Sequence, residues 1–214
     1  MKVLAVVGTK RKKGLVSRMC EKILEGANEN GHETEIINLY DYNINYCIGC
    51  WACAKKGKCI YEDDFESIFK KIEESDVIIL GSPCYWGDVS GIMKNFFDRH
   101  TGSAMYKPDN AAGFYKMKLM EKLKTYIYAM KNFGAYPYLH GKKFMIVVAM
   151  TLPFPGSHLS GELPQTVRCM KIYIGNLKGK LIGKVIYTDT LFKLLRNKEE
   201  RIMKKAYIAG KKLK

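Results

Sequence analysis

The stretch Val77-Ile-Ile-Leu80, followed directly by Gly81-Ser-Pro-Cys-Tyr-Trp-Gly87, carries the reading of the fold. Four consecutive apolar residues without polar alternation describe a strand covered on both faces, as in a parallel sheet. The small and aromatic residues after it form a loop, which leads into a helix expected over 92–99. Working outward, a short apolar strand at 2–7 precedes an amphipathic helix at 15–27. There Val16, Met19, Cys20, Ile23 and Leu24 recur at helical spacing. A second strand is expected over 33–39, and a helix running to about residue 74 with Asp63 as cap and Glu66 completing a capping box. Beyond the third strand come a strand at 143–150, a loop at 151–161, a helix at 163–177, a strand at 183–187 and a basic helix from about 191. Strands and helices thus alternate, which implies a parallel sheet reached by right-handed crossovers. Five strands suit the doubly wound order 2-1-3-4-5, with a ligand site at the carboxyl ends where the order switches between the first and third strands. Residues 101–142 interrupt the alternation with many Tyr and Phe among lysines. They read as an insertion in a single domain spanning 1–214, with one helix near 116–130, serving as a subunit interface or a cover over the site.

The chain has 214 residues, 47% hydrophobic and 27% charged, the balance of a globular protein. Its longest apolar runs, such as Phe144-Met-Ile-Val-Val-Ala-Met150, are too short to cross a bilayer, and no signal-like segment opens the chain. A cytoplasmic location is therefore expected, where thiols stay reduced. The net charge of +15 arises from lysines scattered along the sequence without a zinc-finger, RNA-recognition or helix-turn-helix pattern. A solvated basic surface is expected rather than a nucleic-acid site.

Two loops point to chemistry. After the first strand, residues 8–17 offer backbone N–H groups, the hydroxyls of Thr9 and Ser17, the Arg11 guanidinium and a helix N-terminus, which together suit a phosphate. The loop lacks the spacing of a dinucleotide fingerprint or a Walker A motif. After the third strand, Ser82, Pro83, Tyr85, Trp86 and Gly87 suit a flat, partly apolar ring. Phosphate and ring together would suit a flavin mononucleotide. Then there is Cys47-Ile-Gly-Cys50-Trp-Ala-Cys53-Ala-Lys-Lys-Gly-Lys-Cys59, four thiols within thirteen residues. Convergent thiolates at this spacing suit an iron–sulfur cluster or a structural zinc, and a loop left without metal is the third case. Gly49 and Gly57 would permit tight turns, and Ile48 and Trp51 would shield the site.

Residues 81–99, Gly-Ser-Pro-Cys-Tyr-Trp-Gly-Asp-Val-Ser-Gly-Ile-Met-Lys-Asn-Phe-Phe-Asp-Arg, resemble the second flavin loop of the NADPH-dependent FMN reductase family, whose fold is flavodoxin-like. With the cysteine loop placed before them, the chain resembles the iron–sulfur flavoproteins of that family over roughly residues 1–100. The resemblance implies FMN and a [4Fe-4S] cluster, the latter held by Cys47, Cys50, Cys53 and Cys59. It implies phosphate contacts from Thr9, Arg11, Gly14 and Ser17, ring contacts from Ser82, Pro83, Tyr85, Trp86 and Gly87, and a third loop beginning at Thr151. The family's phosphate loop carries Pro, Asn and Thr where this chain has Lys10, Leu15 and Val16, so Ser17 or backbone amides would supply the missing contact. The implied function is electron transfer from a ferredoxin or NAD(P)H to a small acceptor through FMN and the cluster, in a homodimer or homotetramer. A cluster-free NAD(P)H:FMN or quinone reductase, with a structural or redox-sensing cysteine loop, is the alternative. A basic zinc-containing nucleic-acid-binding module is the third. No side chain is needed as general acid or nucleophile. Cys84 reads as a small apolar filler beside the ring, Cys20 and Cys169 as core, and Asp88 as the cap of the next helix. His100, His140 and His158 are assigned no role.

Overall fold

Alternate residues of the first strand, β1 (Lys2–Val7), enter two separate cores. Leu4 and Val6 join one, while Val3, Ala5 and Val7 join the other. Period-two geometry thus makes a continuous apolar run the natural sequence for a strand covered on both sides. The computed structural model describes residues 1–50, 52–53, 58–100, 118–132, 139–191 and 198–214. Along the chain β1 is followed by α1 (Leu15–Asn28), β2 (Glu33–Asn38), α2 (Phe65–Glu74), β3 (Val77–Pro83), α3 (Gly91–Arg99) and α4 (Leu119–Asn132). Then come β4 (Lys143–Met150), the single turn α5 (Gly156–Leu159), α6 (Glu162–Asn176), β5 (Lys180–Thr188) and α7 (Lys198–Lys211). All pairings are parallel, in the order β2-β1-β3-β4-β5. This is the doubly wound, flavodoxin-like sheet expected from the alternation. Helices α1 and α7 cover one face, and α2, α3 and α6 the other. No helix among the described residues is long and apolar enough to cross a membrane.

Two expected caps are corrected. Asp64, not Asp63, precedes α2. The Asp63 carboxylate does accept from the Phe65 N–H at 3.2 Å, but it is otherwise taken up by Arg99 and Asn45. A buried guanidinium is a stronger partner for it than a helix-start N–H. Likewise Ser90, not Asp88, stands at the start of α3. Asp88 instead accepts from the neighbouring Val89 N–H at 2.7 Å. The final strand is longer than expected, and the final helix begins at Lys198. Within 101–142 the expected helix is present as α4, with Leu119, Met120, Leu123 and Ile127 exposed. Most of the insertion's aromatic residues lie outside the described residues.

Candidate functional site

The loop after β1 is held from below. The Gly8 N–H donates to the Gly81 carbonyl at 2.8 Å, and Asn38 donates to the Thr9 carbonyl at 2.9 Å. A side chain at Gly8 would place its Cβ 2.7 Å from the Ser90 hydroxyl and 2.9 Å from Met93, so this close approach requires glycine. Residues 11–14 make a turn closed by the Gly14 N–H on the Arg11 carbonyl at 2.8 Å. Thr9 is buried, and its hydroxyl accepts from the Arg11 N–H at 3.3 Å. Ser17 is also buried and donates to the Arg11 carbonyl at 3.2 Å, which shapes the turn. Helix α1 begins at this loop without a side-chain cap and with no acidic residue in its first turn. Its first amides are therefore open to an anion. Lys12 is paired with Asp41 at 2.7 Å, whereas among the described residues Arg11 has no ion-pair partner.

The loop after β3 carries a strained exposed tip. Tyr85 and Asp88 exchange backbone bonds at 2.8 and 3.0 Å, and the two residues between them both have positive φ, 50° at Trp86 and 76° at Gly87. Such a turn favours glycine at both positions. Tryptophan in the left-handed region is uncommon, and here the residue is 98% exposed. Beside it lies a cavity of about 530 Å³ lined by Cys84, Tyr85, Trp86, Thr151, Leu152 and Glu162. Ser82 lies underneath, buried, accepting from the Ser90 N–H and donating to the Pro83 carbonyl, both at 2.8 Å. The Cys84 thiol accepts from Thr166 at 3.0 Å, and burial raises its pKa, so it stays protonated.

The cysteine loop is anchored at its base. Two side chains one turn apart on α3 take part. Asn95 accepts from the Cys47 N–H at 3.2 Å and donates to the Ile44 and Asn45 carbonyls. Arg99 donates to the Asn45 carbonyl at 2.9 Å and to both oxygens of Asp63, at 2.6 and 2.9 Å. The Cys59 thiol lies against the same guanidinium. Burial disfavours the charge on Asp63, but hydrogen bonds from Arg99, Asn45 and Phe65 outweigh it and hold the carboxyl well below the usual range. Cys47 and Cys50 are exposed, Cys53 and Cys59 half-buried, and none of the four is in a disulfide. Gly49 has a φ of 65°, as its tight turn was expected to need. Ile48 is exposed, while Trp51 and Gly57 lie outside the described residues. Among the described residues no three Cys, His, Asp or Glu side chains converge on one point.

With this geometry in view, the model of the NADPH-dependent FMN reductase family matches residues 1–116. The chain belongs to the NADPH-dependent FMN reductase family. It is similar to an iron-sulfur flavoprotein of Archaeoglobus fulgidus, 44% identical over 99 residues, which is 46% of this chain and 48% of that protein. An iron-sulfur flavoprotein of Methanocaldococcus jannaschii is also 44% identical over 99 residues, covering 46% and 51%. The chain thus matches about half the length of these curated relatives. Among solved structures, an NAD(P)H:quinone oxidoreductase from Methanothermobacter marburgensis superposes with a TM-score of 0.70 at 17% identity, over 100% of this chain and 99% of that one. That likeness concerns the fold.

FMN, the cofactor in the FMN reductase family's name, fits the residues present. The loop after β1 offers an uncapped helix start and an Arg11 with no ion-pair partner among the described residues, and an aromatic-edged cavity opens between the loops after β3 and β4. The sheet brings Tyr85, Trp86 and Thr151 to one cavity and adds Leu152 and Glu162, which sequence reasoning missed. It also missed Asn38, Ser90, Asn95 and Arg99. For Asn95 and Arg99 the local signal was that polar residues on α3, a helix following a buried strand, need buried partners; Asn38 at the end of β2 and Ser90 just before α3 carried no such signal.

Proposed function

We propose that this chain is a flavin-dependent oxidoreductase that binds FMN across the carboxyl ends of β1, β3 and β4 and exchanges electrons with a [4Fe-4S] cluster on the cysteine loop. The observation that carries the reading is the tip of the β3 loop, where a tryptophan is held strained and almost fully exposed beside a cavity of ligand size. Thr9, Arg11, Gly14 and Ser17 would form the phosphate loop, with Ser17 acting through the turn it shapes. Ser82, Pro83, Tyr85, Trp86, Gly87 and Thr151 would surround the ring. When bound, FMN supplies both paired-electron exchange with a nicotinamide and single-electron exchange with a cluster.

Cys47, Cys50, Cys53 and Cys59 would hold the cluster. The fit rests on donor chemistry, four thiols on one loop whose two ends are anchored to α3, and on the buried Arg99 Nε–H, which has no hydrogen-bond acceptor among the described residues, in the guanidinium touching Cys59. Closing the site requires the exposed thiols of Cys47 and Cys50 to turn inward. A ferredoxin or NAD(P)H would supply electrons, and a small molecule such as a quinone, peroxide or oxygen would accept them. The net charge of +15 would steer an acidic ferredoxin. The exposed apolar residues of α4 would pair copies of the chain into a homodimer or homotetramer.

The exposure of Cys47 and Cys50 favours a second reading, a cluster-free FMN or quinone reductase with redox-sensing thiols. Assay of flavin, iron, acid-labile sulfide and zinc on protein purified without oxygen separates the two. About one FMN with about four iron and four sulfide per chain is expected. FMN without iron establishes the second reading, and zinc without flavin sinks both. Joint Cys50→Ser and Cys53→Ser substitution should abolish the cluster and leave flavin bound.

A further inference from the structure

We propose that Arg99 and Asp63 set the reduction potential of a cluster held by the cysteine loop, in opposite directions, through the guanidinium they share with Cys59. The proposal rests on the cluster reading above and goes beyond it by naming two residues that would ligate nothing. Both side chains are only 1% exposed, although each carries a full charge. Charges so shielded from solvent and salt act on their neighbours more strongly than surface charges do.

The guanidinium is fixed by more than its carboxylate. It lies 4.7 Å from the centre of the Phe65 ring and 5.3 Å from that of Tyr61. Its Nη1 also donates to the Asn45 carbonyl, next to the hydrogen bonds that bind Asp63 to the Asn45 backbone and side-chain amides. The Asp63 carboxylate therefore occupies two of the guanidinium's nitrogens, while Nε–H is buried with no acceptor among the described residues. An unsatisfied buried donor of this kind is unfavourable, and a thiolate at Cys59, whose thiol already lies against this guanidinium, would offer it an acceptor.

One-electron reduction of a cluster held there would place one further negative charge on it and on the sulfurs of Cys47, Cys50, Cys53 and Cys59. A fixed cation beside one of those sulfurs stabilises the added charge and raises the potential. The carboxylate behind it opposes that gain. A pair whose role is only to brace the loop would respond differently. Removing either member would weaken the fold, and the potentials of the variants would show no opposed signs.

The test is a potentiometric titration with dithionite, followed by paramagnetic resonance of the cluster, on the full chain purified without oxygen. Wild type is compared with Arg99→Gln and Asp63→Asn. Arg99→Gln is expected to lower the potential and Asp63→Asn to raise it, each by about tenfold in the one-electron equilibrium, or about 59 mV. Shifts in the same direction, or both smaller than twofold, with iron and sulfide retained, would overturn the proposal. If Arg99→Gln does not fold or loses its cluster, Arg99→Lys replaces it. That variant keeps the charge and should stay within threefold of wild type, and the decision then falls on the upward shift of Asp63→Asn, whose absence refutes the idea. A wild-type protein with flavin but no iron removes the cluster reading itself, and the metal assay reveals this before any titration begins.

Discussion

The Ser90 hydroxyl donates to the Gly8 carbonyl at 2.6 Å and so ties the start of α3 to the loop after β1. The same helix ends at Arg99, beside Cys59 and Asp63. Nine residues of helix rise about 13 Å. One short, rigid element therefore spans from the expected flavin phosphate to the cysteine loop, and its two ends are fixed by buried polar bonds.

Ser90→Ala removes that bond and leaves a buried carbonyl without its partner. A loss of about 1–2 kcal/mol in stability is expected. FMN affinity should fall several-fold as the loop loosens. Urea unfolding of the apoprotein and quenching of flavin fluorescence on binding check the two effects separately.

Trp86 offers a case in which stability and binding should move in opposite directions. The residue sits at positive φ and is almost fully exposed, so its side chain adds little to the free fold. Trp86→Gly relieves the backbone and should stabilise the apoprotein by up to about 1 kcal/mol. Flavin binding should nevertheless weaken by tenfold or more as the aromatic face is lost. An unchanged flavin affinity would remove Trp86 from the ring site.

Acid stability should depend on His100. Burial among Phe65, Phe69, Phe96 and Tyr173 pushes its pKa down to about 4 from an ordinary 6.5. Between those values the unfolded chain binds a proton that the folded one refuses, so stability falls as pH falls through this window. The full loss near pH 4 is roughly 3 kcal/mol. Asp63, held well below the usual carboxyl range, keeps its contribution until more acidic pH. In His100→Phe the difference in unfolding free energy between pH 7 and pH 4.5 should shrink by most of that amount, measured from urea midpoints.

The exposed apolar stripe of α4 should govern assembly. Leu123→Glu combined with Ile127→Glu places charges on it without touching either core. Sedimentation should show a smaller species than wild type, with flavin content retained. An unchanged mass would place the subunit interface elsewhere.

The order of elements was legible because each signal is local. The run Val77-Ile-Ile-Leu80 declares a strand covered on both faces, and the helical spacing from Val16 to Leu24 declares the side of α1 that is buried, as found. Asp63 and Asp88 have the composition of helix caps, but a side chain near a helix start can be taken by another partner; Asp88 accepts from the adjacent Val89 N–H. For Asp63 that partner is a guanidinium 36 residues away.

By itself, the sequence determined the parallel five-stranded architecture, the two loops at the switch point and the set of four thiols, because periodicity and spacing act over a few residues. Only the tertiary structure decided what joins them. Ser90 meets Gly8 across 82 positions, and Asn95 meets Cys47 across 48. Such pairings exist because the strand order places β3 beside β1 and swings α3 over the loop after β2. Their strength comes from burial, which leaves each polar group no partner but the one the fold supplies.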